Sequence, residues 1–264
     1  MLRQRTALPA GRTELIITKM ESQANEVSDA LKEFVISSRF SCVGGKAAYK
    51  RGAVVHRHYG RLADSGECHL IYRDLVQFTE DGDGIDKHYA TFAVSFDSPR
   101  RVSEIEFEKL LWKELQLLHE IDRVHYRWAP EAASDPASGT FAYSVGGKAF
   151  FVVGLHPNSS RHTRRFEFPA LIFNSHIQVD RLKETGTFER MRRVIRRNEM
   201  ELQGSLNPML SDFGDLSESR QYSGRAVERE WRCPFEALSK SLPENPPGGR
   251  WPYAFSNRRI VSCP

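Results

Sequence analysis

The sequence has few cysteines and no arrangement of them that points to a bridge or a metal. Cys42, Cys68, Cys233 and Cys263 stand far apart, with no CxxC pair and no zinc-like spacing. A disulfide scaffold and a zinc module are excluded, and a reducing cytoplasm with free thiols is the expected location. No stretch approaches the ~18 apolar residues of a membrane span. The apolar burst at Leu15, Ile16 and Ile17 is too short for a signal-peptide core. Charge of one sign is also scarce. Thirty-eight Lys and Arg against 34 Asp and Glu leave +4, too little to make a polyanion the default partner. Internal repeats are absent. Gly44-Gly45-Lys46 and Gly146-Gly147-Lys148 lack the spacing and the following Ser or Thr of a phosphate loop. Asp212-Phe213-Gly214 matches a kinase metal tripeptide in letters only, without the companion loops.

What remains is an ordinary globular composition, 40% apolar and 27% charged over 264 residues, long enough to bury a core without staples. Ser103-x-x-Glu106 is a capping box, and Phe107, Leu110, Leu111, Leu115 and Leu118 behind it predict a helix to about residue 120. Residues 89–96 alternate as a half-buried strand. Residues 141–145, a Gly146-Gly147 turn and residues 148–155 predict a hairpin whose second arm, apolar on both faces, is central in a sheet. Further expectations are a short helix over 27–37, a strand pair over 51–62, a strand over 170–173 and one basic helix over 177–200. The Ala/Ser/Pro-rich run 129–139 predicts a surface loop. Strands and helices without a regular βαβ rhythm give an α+β fold: a mixed, largely antiparallel sheet with flanking helices in a single compact domain over 26–240. Residues 1–25 are read as an extension and 241–264 as an irregular tail.

Candidate chemistry concentrates after residue 154. His156-Pro157 follows a buried strand directly, so the imidazole is presented from a stiff edge. His176 stands at the end of the next strand, and two such histidines are expected to face one pocket. Asp180 beside them completes the composition of a non-haem iron triad. His56-x-His58 puts two rings on one strand face, an arrangement that suits a metal and is also common without one. His69 beside Cys68 is a weaker version of the same signal. The basic helix carries Arg181, Lys183, Arg190, Arg192, Arg193, Arg196 and Arg197. Its interleaved Glu184, Glu189, Glu199 and Glu201 favour a solvated, salt-bridged face over a nucleic-acid surface.

Five ordered blocks resemble the YqcI/YcgG family: Phe151 to Arg161 (FVVGLHPNSSR), Phe173-Asn-Ser-His176-x-Gln178, Gly204-Ser-x-Asn-Pro-Met-Leu210, Gln221-Tyr-Ser-Gly-Arg225 and Trp231-x-Cys-Pro-Phe235. Arg39-Phe-Ser-Cys42 resembles the family's upstream Phe-Pro-Cys, with Ser41 in place of Pro. Ser175 and Val179 replace an expected Pro and an aromatic. The resemblance implies haem b and a monooxygenase that N-hydroxylates a guanidino or amine substrate, such as free L-arginine, in a natural-product pathway such as antibiotic biosynthesis. It would use O2 with a reductant, for which an electron-donor protein is an implied partner, or peroxide. His156 is the favoured axial ligand, with His176 and Cys233 as alternatives. Arg161, Arg220 and Arg225 are the candidate propionate partners, and Phe151 and Phe173 the apolar wall. His176, Glu218 and Tyr222 are the candidate catalytic groups, with Asp212 a further carboxylate for a guanidinium. A haem sensor or carrier without turnover is the alternative from another class. No nucleic acid and no membrane partner are implied, and a homodimer is left open.

Overall fold

Gly146 and Gly147 both take positive φ, 60° and 69°, the backbone that a tight two-residue hairpin turn requires and glycine allows. The turn joins β3 (Tyr143–Val145) to β4 (Lys148–Leu155). The computed structural model describes residues 10–80, 89–211 and 214–238. The other strands are β1 (Val54–Arg61), β2 (Thr91–Ser98) and β5 (Ala170–Ser175). The sheet order is β1-β2-β5-β4-β3. Only β1 and β2 run parallel, and the remaining pairs are antiparallel. The mixed, largely antiparallel α+β arrangement is as expected.

Helices cover both faces. On one lie α3 (Ser65–Glu80), which makes the β1–β2 crossover, and α4 (Glu104–His125). Ser103 caps α4 through the predicted capping box: its hydroxyl accepts from the Glu106 amide, while the Glu106 carboxylate accepts from the Ser103 amide. On the other face lie α1 (Ala10–Ile36), α2 (Val43–Lys50) and, after a short α5 (His176–Glu184), α6 (Thr187–Gln203). A 3₁₀ turn, His162–Arg164, and a one-turn α7, Ser219–Tyr222, complete the chain. Strand alternation divides the core: Phe150, Val152, Leu171, Phe173 and Phe92 point to α3 and α4, whereas Ala93, Leu155 and Ala170 point to Val27, Leu31 and Val35 of α1.

Several expectations change. The strand pair over 51–62 is one strand, because β1 pairs sideways with β2 through a helical crossover. The strand over 89–96 is buried on both faces from Thr91 to Phe96, since helices cover the sheet on each side. The basic helix is two, broken at Gly186, whose φ of 64° is left-handed. The short helix over 27–37 extends back to Ala10, well inside the segment read as an extension. The tail over 241–264, with Cys263, lies outside the described residues. No described helix is long and apolar enough to cross a membrane.

Candidate functional site

The register between β4 and β5 decides which residues can meet. Phe150 pairs with Ser175 and Leu155 with Ala170, antiparallel. His156 therefore follows the β4 end that lies beside Ala170, and His176 follows the β5 end that lies beside Phe150. Six residues of strand, about 20 Å, separate those ends. The two histidines do not share a pocket, which removes the basis for an iron triad built on both. The Asp180 side chain and Asp212 lie outside the described residues. Among the described residues no three His, Cys, Asp or Glu side chains gather to hold a metal ion.

His156 lies on the α4 face. It is fully buried, stacked on Phe107 at 4.3 Å, and neither ring nitrogen has a hydrogen-bond partner. Burial lowers its pKa to about 4, so the ring is neutral at ordinary pH. Cys233 packs on the same aromatic core, where burial pushes its thiol up to about 12. Phe173 is buried there too, edge-on to Phe150. The Tyr222 hydroxyl donates to the Phe150 carbonyl and accepts from the Tyr143 amide, and its ring stacks on Trp112. These bonds pin α7 under the sheet. Arg225 pairs with Glu108 at 2.8 Å, and Arg220 donates to the Glu228 and Trp231 carbonyls. All six are occupied in holding this face together.

The opposite face is open. An inner chamber of about 270 Å³ lies between the sheet, α1, α2 and α6, walled by Leu31, Ala93, Phe151, Val153 and Ile172. An outer chamber of about 440 Å³ lies against α5 and α6, and Phe151, Asn174, Ile195, Leu210 and Gln221 line both. Of the foreseen residues, Arg161 and Phe151 line the inner chamber and Phe151 and Glu218 the outer one. His176 stands behind Glu218, its Nε2 3.0 Å from a carboxylate oxygen, with both side chains buried.

Other residues of the chamber were not foreseen. Cys42, at the N-cap of α2, is on the inner wall. So is Tyr49, whose hydroxyl has no partner and whose pKa burial raises. Glu199, read as part of a solvated helix face, is buried: it faces Arg161 at 3.3 Å and accepts from the Asn207 amide. Arg164 donates to the carbonyls of Gly154, Tyr222 and Gln221. The block Arg39-Phe-Ser-Cys42 was the available signal for Cys42. For Glu199 the helical spacing of charges gave the wrong face.

His56 Nε2 and His58 Nδ1 both lie 2.8 Å from the Ser95 hydroxyl, and His58 Nε2 is 3.3 Å from Asp97. The paired rings are thus engaged by the neighbouring strand. His69, beside Cys68 on α3, has its Nδ1 3.4 Å from the Ser65 carbonyl, an ordinary turn contact.

Compared with known proteins, the chain matches the model of the YqcI/YcgG family over residues 31–236. No curated protein and no solved structure matches it.

Proposed function

Because the chain belongs to the YqcI/YcgG family, we propose that it is a haem-dependent monooxygenase that N-hydroxylates a guanidino group in a reducing cytoplasm. The observation that carries this reading is the two-chambered apolar cleft, with cations at its inner end and a carboxylate in its outer part. The residue types fit the group: an apolar wall at Phe151 and Ile172, a cation for a propionate at Arg161, and a cysteine, Cys42, among the lining residues. Bound haem would supply the iron at which O2 or peroxide is activated.

The ligand follows from which side chains face the cleft. His156 and Cys233 lie behind the sheet, and His176 is engaged with Glu218. Cys42 and Tyr49 remain on the inner wall, and burial keeps the Tyr49 phenol protonated. Cys42 is therefore the residue that would hold the iron. Glu218 offers the carboxylate that a guanidinium needs, and His176 positions it. An iron site without porphyrin is disfavoured by the separation of His156 and His176.

Protein purified from haem-replete cells should carry a Soret band and convert a guanidino compound to its N-hydroxy product. Cys42→Ser should lose or shift the band, while His156→Phe should leave it in place. A colourless protein that takes up no haemin would end this reading. A Soret band without product across a panel of guanidines and amines would favour the sensor or carrier.

A further inference from the structure

The inner chamber is apolar over most of its wall, yet its charges do not balance. Its charged lining residues are Arg161, Arg164 and Glu199: two cations and one anion. Glu199 is already shared between the Arg161 guanidinium at 3.3 Å and the Asn207 amide at 3.4 Å. Arg164 has only backbone carbonyls as partners. Burial brings its pKa down to about 10, so it keeps its proton at neutral pH. Glu199, the one carboxylate on this wall, is thus the counter-charge of two guanidiniums, and an anion relieves that imbalance.

The polar atoms left over point the same way. The lining includes two buried side-chain atoms with no hydrogen-bond partner, the Arg161 Nε–H and the Tyr49 hydroxyl. The first can only donate and the second readily does. Arg161 itself is 7% exposed, its other nitrogens bonded to the Ser205 hydroxyl and carbonyl. An acceptor is what both atoms lack. A cationic ligand would meet a net positive wall and find no free carboxylate among the described lining residues of this chamber.

We infer that the inner chamber is a carboxylate site, taking an apolar body that ends in a carboxylate met by Arg164, the Arg161 Nε–H and the Tyr49 hydroxyl. The inference rests on the chamber's own charges: with a tetrapyrrole it deepens the haem reading, and with a small free acid it holds without it. The carboxylate has two possible sources, a tetrapyrrole propionate or a small free acid.

The test is calorimetric titration of the full-length protein with octanoate, octanol and octylamine, with metal-free protoporphyrin IX and its dimethyl ester as a second arm. Octanoate should bind at least about tenfold tighter than octanol, with no measurable octylamine binding. Arg164→Gln should weaken octanoate about tenfold and Tyr49→Phe about threefold, because a guanidinium brings a full opposite charge to the carboxylate and a hydroxyl brings a single hydrogen bond. Should Arg164→Gln fail to fold, Tyr49→Phe decides, since it removes only the hydroxyl. Equal binding of octanoate and octanol, or octanoate affinity unchanged in Tyr49→Phe, overturns the inference, except where the porphyrin binds and its ester does not. That last pattern keeps the carboxylate site and assigns it to a tetrapyrrole. Octanoate binding without porphyrin uptake keeps the inference and removes the haem reading.

Discussion

The two faces of one sheet have been filled in opposite ways. Toward α3 and α4 the strands present Phe92, Phe150 and Phe173, which interlock with Phe107, Trp112 and Tyr143. Toward α1, α2 and α6 the same strands present Ala93, Val153 and Ile172 beside Phe151, and the smaller side chains make room for the chamber. Adjacent residues of one strand thus belong to different economies. The aromatic face contributes packing, and the aliphatic face contributes room. Unpartnered buried polar atoms occur on both sides, at His156 and Trp112 on the packed one and at Arg161 and Tyr49 on the open one, but only the latter pair lines a chamber.

The contrast can be broken most directly on β5, where Phe173 and its neighbour Ile172 face opposite ways. Phe173→Ala should destabilise by about 3–5 kcal/mol, because a close-packed aromatic site cannot collapse around the void. Ile172→Ala, at the wall of an existing cavity, should lower stability by about 2 kcal/mol, as fewer contacts are lost. Urea midpoints of the two variants measure the difference; equal losses would mean that the chamber is not open in solution.

A smaller effect is expected at Gly154. A Cβ there would stand 2.7 Å from the Phe107 ring and 2.8 Å from Leu111, so the close approach of α4 to β4 requires glycine. Gly154→Ala should destabilise by about 1–3 kcal/mol through overpacking. Thermal unfolding would check it, and a neutral result would show that α4 has slack.

The smallest effect depends on pH. His156 titrates at about 4 when folded against the 6.5 of an unconstrained imidazole. Between those values the unfolded chain binds the extra proton, so stability is complete above the upper value and falls as pH drops toward the lower. The loss should reach about 1 kcal/mol near pH ~5.8. His156→Phe, which retains the stack on Phe107, should flatten that part of the acid limb. An unchanged limb would mean that other groups account for it.

Local signals in the sequence were read correctly where the cause was local. The Gly146-Gly147 turn, the Ser103 cap and the doubly apolar β4 each depend on a few consecutive residues, and each forms as expected. What was missed depends on pairing at a distance. Nothing in residues 154–176 alone says that β4 and β5 run antiparallel, and that direction separates His156 from His176. Helical spacing put Glu199 on a solvated face, yet Arg161, reaching across from another segment, draws it inward. Cys42 was visible as a motif residue, but its place on the cavity wall follows from how α2 lies against the sheet.

The serine between His56 and His58 has one hydrogen to give and two imidazoles beside it. With an uncharged His58 ring carrying its hydrogen on Nε2, toward Asp97 at 3.3 Å, Nδ1 is the acceptor for Ser95. His56 must then point its own Nε2 hydrogen at the serine oxygen. The edge strand therefore carries two imidazoles coupled through one hydroxyl, so that exchanging donor and acceptor at one ring requires the same exchange at the other.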